Sequence, residues 1–372
     1  MAIQFEQLDD LVKKGTNTTS TFHQLSDGTL AFFVFLGLQG GLIRYEVKSQ
    51  ESELVDDSLP FEAFGRKFVK PQPNENIIYA TPGNDSNGDY SINQNEIIRI
   101  DPTVPSYESV DSIDTGLDDP QAAGIGGDAY FWGGGQVGTT DSPPNPEVYR
   151  IDGETGSTTE VGTLSPSIAN APFDTLEDGT VLTFGGISSD GDEPDKDGTS
   201  AVYKVDPTVP SQEKIGDMND GSGNPVYAYR AFGGILEDDM YIFGGSVGTD
   251  NNFEDTYHSE VWRVDLDTFE VSTFAQMQQD VIDTIPGYDN LNNNLYSFGG
   301  TNPGPDEVAD VYRIVGPNTT DALLLEENLA LRGRDVSAGD DAVLYSPQFA
   351  RGESIPSIGD DIAVVRDGDG QA

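Results

Sequence analysis

The sequence predicts an all-β fold, a single seven-bladed β-propeller of four-stranded antiparallel blades that takes up residues 1–372. Two observations lead to this prediction. First, an aromatic or apolar strand that ends in a glycine pair recurs along the chain, as at residues 241–245. Second, a polar loop and a strand of the Val-Trp-Arg-Val-Asp type follow, as at residues 261–265. Four short strands in each repeat of about 50 residues are typical of a propeller blade.

The basic residue in the strand of the Val-Trp-Arg-Val-Asp type marks the length of each repeat. Seven such residues occur at intervals of 50 to 59 residues, a period of about 53, so that seven units account for the whole chain. They are Arg44, Arg99, Arg150, Lys204, Arg263, Arg313 and Arg366. We expect each of these bases to pair with an acidic group of the neighbouring blade. No segment sustains the 3.6-residue apolar period of a long helix, which agrees with an all-β fold.

The two ends of the chain indicate how the ring closes. The seventh unit has no fourth strand after its basic residue, Arg366, and the first residues of the chain resemble the fourth strand of other units. We therefore predict that residues 1–10 complete the last blade by pairing with residues 362–366. Such pairing would remove an exposed sheet edge, which is otherwise a site of aggregation.

The connections of the predicted blades differ between the two faces of the ring. Connections from the first to the second strand and from the third to the fourth are short turns, and one of them, Asp-Pro-Thr-Val-Pro-Ser, occurs twice. The opposite face, called the loop face below, carries the connections from the second to the third strand and from one blade to the next. Its long loops are residues 84–96, 136–147, 187–200, 246–259 and 301–310. Variable loops on a rigid scaffold are where recognition usually occurs.

The charge of the chain is strongly negative. Nineteen Lys and Arg stand against 65 Asp and Glu, which gives −46, with 35% hydrophobic residues. Disordered chains have similar charge, but here the apolar residues fall in strand-length runs that include most of the Phe and Tyr. Because molar salt shortens the Debye length to about 3 Å, a folded protein with this charge indicates a halophilic source. The negative sign argues against a nucleic-acid partner.

Several functional classes are excluded or disfavoured by the sequence. The chain has no Cys, which excludes disulfides, thiol catalysis and thiolate metal sites. The first residues show no basic segment followed by an apolar one, and no run approaches 18 apolar residues. We therefore expect a protein made in the cytoplasm without a signal peptide and without membrane insertion, which leaves the cell only as part of an assembly.

The repeated motifs resemble those of one known family. The glycine pairs at Gly133, Gly185, Gly244 and Gly299 and the Tyr-Arg-Ile-Asp type of third strand are similar to those of kelch repeats. This resemblance implies a β-propeller, and covers all the predicted units. Copper enzymes of the galactose-oxidase type share the kelch architecture, but they need a thioether-forming Cys that this chain lacks.

One loop has the oxygen spacing of a calcium site. Residues 85–96 offer oxygen ligands at positions 1, 3, 5, 9 and 12, which suits a hard cation that takes six to eight oxygens. The candidate ligands are Asp85, Asn87, Asp89, Asn93 and Glu96. The spacing resembles an EF-hand-type calcium loop, although Tyr90 stands where such a loop has Gly. The alternative is a solvated acidic loop; no other cofactor is predicted.

A second candidate site consists of bases in or beside the blade-to-blade linkers of the loop face. We predict that they form a positive funnel into the central channel, with two tyrosines as a stacking surface for a sugar ring. The residues are Arg66, Lys67, Arg230, Arg332, Arg334, Tyr227 and Tyr229. The ligand would be anionic, such as an acidic surface glycan or a carboxylate-rich protein loop. The alternative is that these bases neutralise crowded carboxylates around the channel.

The function that follows is recognition or assembly without catalysis. The two histidines, His23 and His258, have no Ser and Asp partners near them in sequence that would complete a catalytic set. A recognition propeller without a signal peptide points to export inside a particle. We therefore predict a virion structural or host-attachment protein of a halophilic archaeal virus, with protein partners in a larger assembly. The alternative is a cytoplasmic kelch-like scaffold or a sugar-acting enzyme.

Overall fold

A computed structural model of the chain describes the residues given at the end of this paragraph, and all their regular secondary structure is β-strand. Among them there is no helix long and apolar enough to span a membrane. The described residues are 3–8, 23–25, 29–36, 39–47, 49–56, 66–71, 76–83, 95–114, 117–118, 120–136, 144–189, 198–248, 258–281, 284–289, 294–300 and 310–315.

Six four-stranded antiparallel sheets follow one another along this part of the chain, in a propeller arrangement. From inner to outer strand, sheet 1 contains His23–Gln24, Leu30–Leu36, Gln39–Glu46 and Glu51–Asp56. Sheet 2 contains Phe68–Val69, Ile78–Ala80, Glu96–Asp101 and Ser106–Ser112, and sheet 3 contains Gln121–Ile125, Asp128–Trp132, Glu147–Ile151 and Thr158–Thr163. Sheet 4 contains Phe173–Thr175, Val181–Phe184, Ala201–Asp206 and Ser211–Asp217. Sheet 5 contains Phe232–Leu236, Asp239–Phe243, His258–Asp265 and Val271–Val281, and sheet 6 contains Ile285–Asp289, Asn294–Phe298, Val311–Val315 and Gln4–Gln7.

The strands differ in burial according to their place in the sheet. Second strands such as Val181–Phe184 are buried along their whole length, because neighbouring sheets cover both of their faces. Such strands read as continuous apolar runs. Outer strands such as Ser106–Ser112 are mostly exposed and polar, which discourages pairing with another chain at the sheet edge. The sequence pattern therefore locates the core between the sheets, on their second and third strands.

The sheets pack in ring order through apolar clusters. Clusters join each sheet to the next, and the sixth sheet packs on the first. In this last contact the ring of Tyr45 lies 6.0 Å from Tyr296 and 5.1 Å from Phe298, both edge to face. Contact between sheets 6 and 1 leaves no place between them for another sheet. The prediction of seven blades is therefore wrong for this part of the chain, and residues 316–372 lie outside the described residues.

The N-terminal strand was predicted to complete the last blade by pairing with residues 362–366, and that partner is wrong. Gln4–Gln7 pairs antiparallel with Val311–Val315, with Gln4 opposite Val315 and Gln7 opposite Tyr312. The ring of Phe5 stacks on Tyr312, with centroids 5.5 Å apart. A strand from the start of the chain thus forms the outer strand of sheet 6. The N-terminal strand therefore does complete the last described sheet. Its partner differs from the predicted one because that sheet is the sixth and not a seventh.

In sheets 3, 4 and 5 the base of the third strand pairs within its own sheet, and not with the neighbouring blade as predicted. The partner is an Asp in or just after the turn that leads into the second strand, which is adjacent to the third. The pairs are Arg150 Nε with Asp128 Oδ2 at 2.6 Å, Lys204 Nζ with Asp178 Oδ2 at 3.0 Å, and Arg263 Nε with Asp239 Oδ2 at 2.6 Å. Hydrogen bonds from Thr180, followed by the contact with Lys204, lower the pKa of Asp178 to about 2.

The glycine pair has a steric explanation at sheet 5. Gly244 and Gly245 have φ of 57° and 76°, in the left-handed region. A Cβ on Gly245 would lie 2.3 Å from the Cβ of Ala231. The Gly245 N–H donates to the carbonyl of Val281 at 2.8 Å, which ties the end of the second strand to the end of the outer strand of the same sheet. The pair therefore brings the second strand close to the linkers at the loop face.

Candidate binding surfaces of the loop face and channel

Three short two-stranded ribbons reinforce the loop face. In each, the linker that enters a sheet pairs with the segment that follows the second strand of that sheet, so linker and loop are held together. The ribbons are Leu117–Asp118 with Gly135–Gln136, Ile168–Ala169 with Ile187–Ser188, and Tyr227–Tyr229 with Ser246–Gly248. At sheets 3, 4 and 5, backbone hydrogen bonds therefore hold the linker and the loop segment in place.

The third ribbon carries three of the predicted site residues. Tyr227 and Tyr229 are half-buried, whereas Ala228 between them is fully buried in the core between sheets 4 and 5. Because side chains alternate along a strand, both tyrosines lie on the face opposite Ala228. Arg230 follows them, half-buried, with φ of 47° and its N–H bonded to the carbonyl of Asn170 at 3.1 Å. The two tyrosines therefore share one face of the ribbon and Arg230 follows them directly, while the grouping of the rings with the guanidinium stays a prediction.

Arg66 is buried among backbone carbonyls. It is 2% exposed, and Nη1 donates to the carbonyl oxygens of Thr81 at 2.7 Å and Glu96 at 2.8 Å. Sheet 2 lacks the glycine pair and has Thr81-Pro82-Gly83 at that point, where sheets 4 and 5 have close packing of a glycine pair on an alanine. Arg66 thus joins the second and third strands of sheet 2 where the glycine pair is missing.

We expect Arg66 to be a structural residue, and Arg66→Met tests this. Removal of the guanidinium leaves two buried carbonyls without these bonds, which costs about 2–4 kcal/mol. Thermal unfolding should therefore occur several degrees lower than in the native chain. Lys214→Met is the control, because it removes a half-exposed base on an outer strand that contacts Asp217 at 2.8 Å. A native melting curve for Arg66→Met would contradict the structural role.

Lys67 lies at the central channel, away from the loop edges. It is 2% exposed, and Nζ lies 4.7 Å from the ring centroid of Phe232 and 5.4 Å from that of Phe173. Phe173 and Phe232 begin the inner strands of sheets 4 and 5, so the side chain reaches across the channel from sheet 2. An ammonium over two aromatic faces is held by cation–π attraction. Lys67 therefore lies at the wall of the channel into which the predicted funnel leads.

Gln121 is a further polar residue of the channel that the sequence analysis missed. It is the first residue of the inner strand of sheet 3 and is 2% exposed. Within the described part of the chain, neither Oε1 nor Nε2 of Gln121 has a hydrogen-bond partner. Buried amides normally have partners, so this one is unusual. No local motif marks Gln121, and only its burial on an inner strand, opposite Trp132, draws attention to it.

Asp174 is a half-buried carboxyl of an inner strand with a shifted pKa. Oδ2 accepts the Ile235 N–H at 2.6 Å, and Oδ1 accepts the Thr175 N–H at 2.7 Å. Burial raises the pKa of Asp174 to about 6, although these two donors act in the opposite direction. Since both oxygens accept backbone N–H groups, the carboxyl joins sheet 4 to sheet 5.

The remaining predicted residues are only partly within the described chain. Arg332 and Arg334 lie outside it, as do Asp85, Asn87, Asp89 and Asn93 of the calcium loop. Glu96 begins the third strand of sheet 2 and is half-buried. In the described residues no group of three or more His, Asp or Glu is arranged to hold a metal ion. The calcium site stays a prediction, which calorimetric titration of the chelated protein with calcium would test.

The two histidines lie in different sheets. His23 is opposite Ala31 in the inner pair of sheet 1. His258 begins the third strand of sheet 5, where Nδ1 lies 3.4 Å from Glu260 Oε2 and the ring meets Trp262 edge to face at 5.9 Å. The fold therefore keeps the two histidines on separate strands of separate sheets.

Comparison with known proteins supports the fold alone. No protein-family model matches the chain, and no curated protein matches it either. The solved structure of YjhT is similar, with a TM-score of 0.62 and 15% identity over 84% of this chain and 98% of that one. As 631 solved chains match, the architecture is widely shared and does not by itself indicate a function. The likeness supports a β-propeller, while the kelch resemblance stays a prediction.

Proposed function

We propose that the chain is a non-enzymatic recognition module whose loop face binds an acidic surface glycan. More specifically, we propose a structural or host-attachment protein in the virion of a halophilic archaeal virus, held there by protein partners. The observation that carries the proposal is the pair Tyr227 and Tyr229 on one face of a ribbon, followed directly by Arg230. Aromatic rings supply apolar stacking area for a sugar ring, and a guanidinium pairs with a carboxylate.

The ribbon suits recognition because it is already ordered. Pairing with Ser246–Gly248 and burial of Ala228 fix the backbone, so little conformational entropy is lost when a ligand binds. The adjacent long loop, residues 249–257, lies outside the described residues and belongs to the predicted variable connections. A rigid aromatic platform beside such a loop supports a binding role.

The charge of the chain supports a halophilic setting for this function. A net charge of −46 would repel an acidic ligand at low ionic strength. At molar salt the Debye length is about 3 Å, so only groups in direct contact with the ligand influence it. Under those conditions Arg230 can bind a carboxylate although the chain is acidic.

Binding of the labelled protein to haloarchaeal cells and to an array of acidic glycans, both in molar KCl, tests the proposal. We expect Arg230→Gln, and the double variant Tyr227→Ala with Tyr229→Ala, to bind about 10- to 100-fold more weakly, as loss of one or two such contacts implies. Lys214→Gln removes a base from an outer strand on the rim of the propeller and should bind like the native protein.

Three results would contradict the proposal. Equal binding by all variants would show that the ribbon does not contribute to the binding site. Binding to deglycosylated acidic protein, and not to glycans, would identify a protein partner in place of a glycan. Release of a modified sugar would favour the sugar-acting enzyme instead.

A further inference from the structure

A carboxyl group joins the inner strands of sheets 4 and 5. In the described part of the chain, Phe232–Leu236 has no strand beyond it at its inner edge, so N–H groups on that edge need another acceptor. Asp174, in the inner strand of sheet 4, accepts the Ile235 N–H on Oδ2 at 2.6 Å. Its other oxygen, Oδ1, accepts the Thr175 N–H at 2.7 Å. Both oxygens therefore have a backbone donor, and one of these bonds connects two sheets.

Among the described residues this carboxyl group has no counter-charge. The strands that pack beside it, Phe232–Leu236 and Val181–Phe184, contain no titratable side chain. The charged residues that border these strands, across the channel or near the turns, are Lys67, Glu177, Asp178, Glu237, Asp238 and Asp239. None of them is a cause of the raised pKa of Asp174, which follows from burial, against the effect of the two backbone donors.

Protonation changes what this carboxyl group can accept. An ionised carboxylate accepts charge-assisted bonds on both oxygens, whereas a neutral carboxyl carries a proton on one oxygen and accepts more weakly. Because an N–H faces each oxygen of Asp174, the added proton replaces an acceptor at one oxygen, and the other oxygen loses the charge assistance. The bond from Ile235 to Asp174 is therefore weaker in the protonated state.

We propose that Asp174 is a pH-sensitive contact, which holds the inner strands of sheets 4 and 5 together more firmly in neutral than in weakly acidic solution. Both strands are the innermost of their sheets, so the contact makes the wall of the central channel responsive to acidity. The proposal does not rest on glycan recognition by the loop face.

The same proton has the opposite effect on global stability. The pKa of Asp174 in the folded chain is about 6, above the ordinary value of 3.8, so the folded chain binds the proton more readily than the unfolded chain. The contribution of this group to stability is therefore fully present below about pH 4 and is lost as the pH rises through about 6. Acidification should thus raise Tm through Asp174 while it weakens the bond from Ile235.

Hydrogen exchange and thermal unfolding in molar KCl, at about pH 4.5 and about pH 7.5, test the proposal. After correction for the intrinsic exchange rate, we expect the Ile235 N–H of the native chain to be about 10-fold less protected at the lower pH, as loss of charge assistance implies. Asp174→Asn is neutral at both pH values and should show no such change. It should melt about 4 °C higher than the native chain at the higher pH, and at about the native temperature at the lower pH.

Asp178→Asn is the matched control in the same sheet. Hydrogen bonds from Thr180, followed by the contact with Lys204, lower the pKa of Asp178 to about 2, so this carboxyl does not titrate in the range tested. The variant should keep the native pH dependence of Ile235 protection. Equal protection of Ile235 at both pH values in the native chain would overturn the proposal, and this result can be read even where Asp174→Asn does not fold. A difference in Tm between Asp174→Asn and the native chain that is the same at both pH values would overturn it too.

Discussion

A chain without residues 1–8 is expected to melt roughly 10 °C lower than the native protein, because a whole sheet edge and three apolar contacts are lost. Gln4–Gln7 supplies the outer strand of sheet 6, and the N–H of Leu8 donates to the carbonyl of Val311 at 2.8 Å. Removal exposes the unpaired edge of Val311–Val315. The truncated protein should also aggregate more readily, which light scattering during the melt would detect.

The large effect follows from where this strand packs. Phe5 and Ile3 lie against the core between sheets 5 and 6, and Leu8 lies against the core between sheets 6 and 1. The strand therefore contributes to two of the contacts that hold the sheets in order. Because this strand joins two segments that are distant in sequence, its loss should destabilise neighbouring sheets together.

Point variants on the same strand provide the matched comparison. Phe5→Ala should cost about 2 kcal/mol, since the ring is half-buried and stacks on Tyr312 at 5.5 Å. Gln7→Ala alters an exposed residue of the same strand and should stay within about 0.5 kcal/mol of the native stability. Equal melting of the native, truncated and Phe5→Ala chains would mean that this strand does not stabilise the ring.

Removal of salt should destabilise the protein strongly, with Tm falling by roughly 10 °C or more between about 1 M and about 0.1 M KCl. The net charge of −46 is the cause. The Debye length increases from about 3 Å to about 10 Å over this range, so carboxylates on neighbouring strands begin to repel one another. Sucrose, which is uncharged, should not replace KCl; if it restores Tm as well as KCl does, screening is not the mechanism.

A pair of variants in sheet 1 tests the electrostatic cause directly. Glu51 stands opposite Glu46 in the outer strand pair, whereas Glu53 stands opposite Arg44. Like charges at opposed positions repel and unlike charges attract, each by about 0.2–1 kcal/mol. Glu51→Lys should therefore raise Tm in low salt and Glu53→Lys should lower it. Both differences should shrink in molar salt, and a difference that persists there would point to packing instead of charge.

The candidate site was predictable only in part. Tyr227, Tyr229 and Arg230 are consecutive or nearly so, and strand alternation alone brings the two rings to one face. Arg66 and Lys67 were predicted as ligand-binding bases of the funnel. Each is 2% exposed, because carbonyls of the adjacent strands accept from Arg66 and aromatic rings of sheets 4 and 5 lie against Lys67. Gln121 carries no sequence signal, since its burial depends on how the inner strands pack together.

The sequence by itself determined the all-β class, the four-stranded repeat and the short turns, because these follow from strand alternation and local backbone conformation. Only the tertiary structure decided how many sheets the ring holds and which strand the N-terminus joins. The number of sheets depends on how closely neighbouring sheets pack. Here sheet 6 packs directly on sheet 1, where Tyr45 contacts Tyr296 and Phe298. Spacing along the chain counts repeats, but contacts between residues some 250 positions apart close the ring.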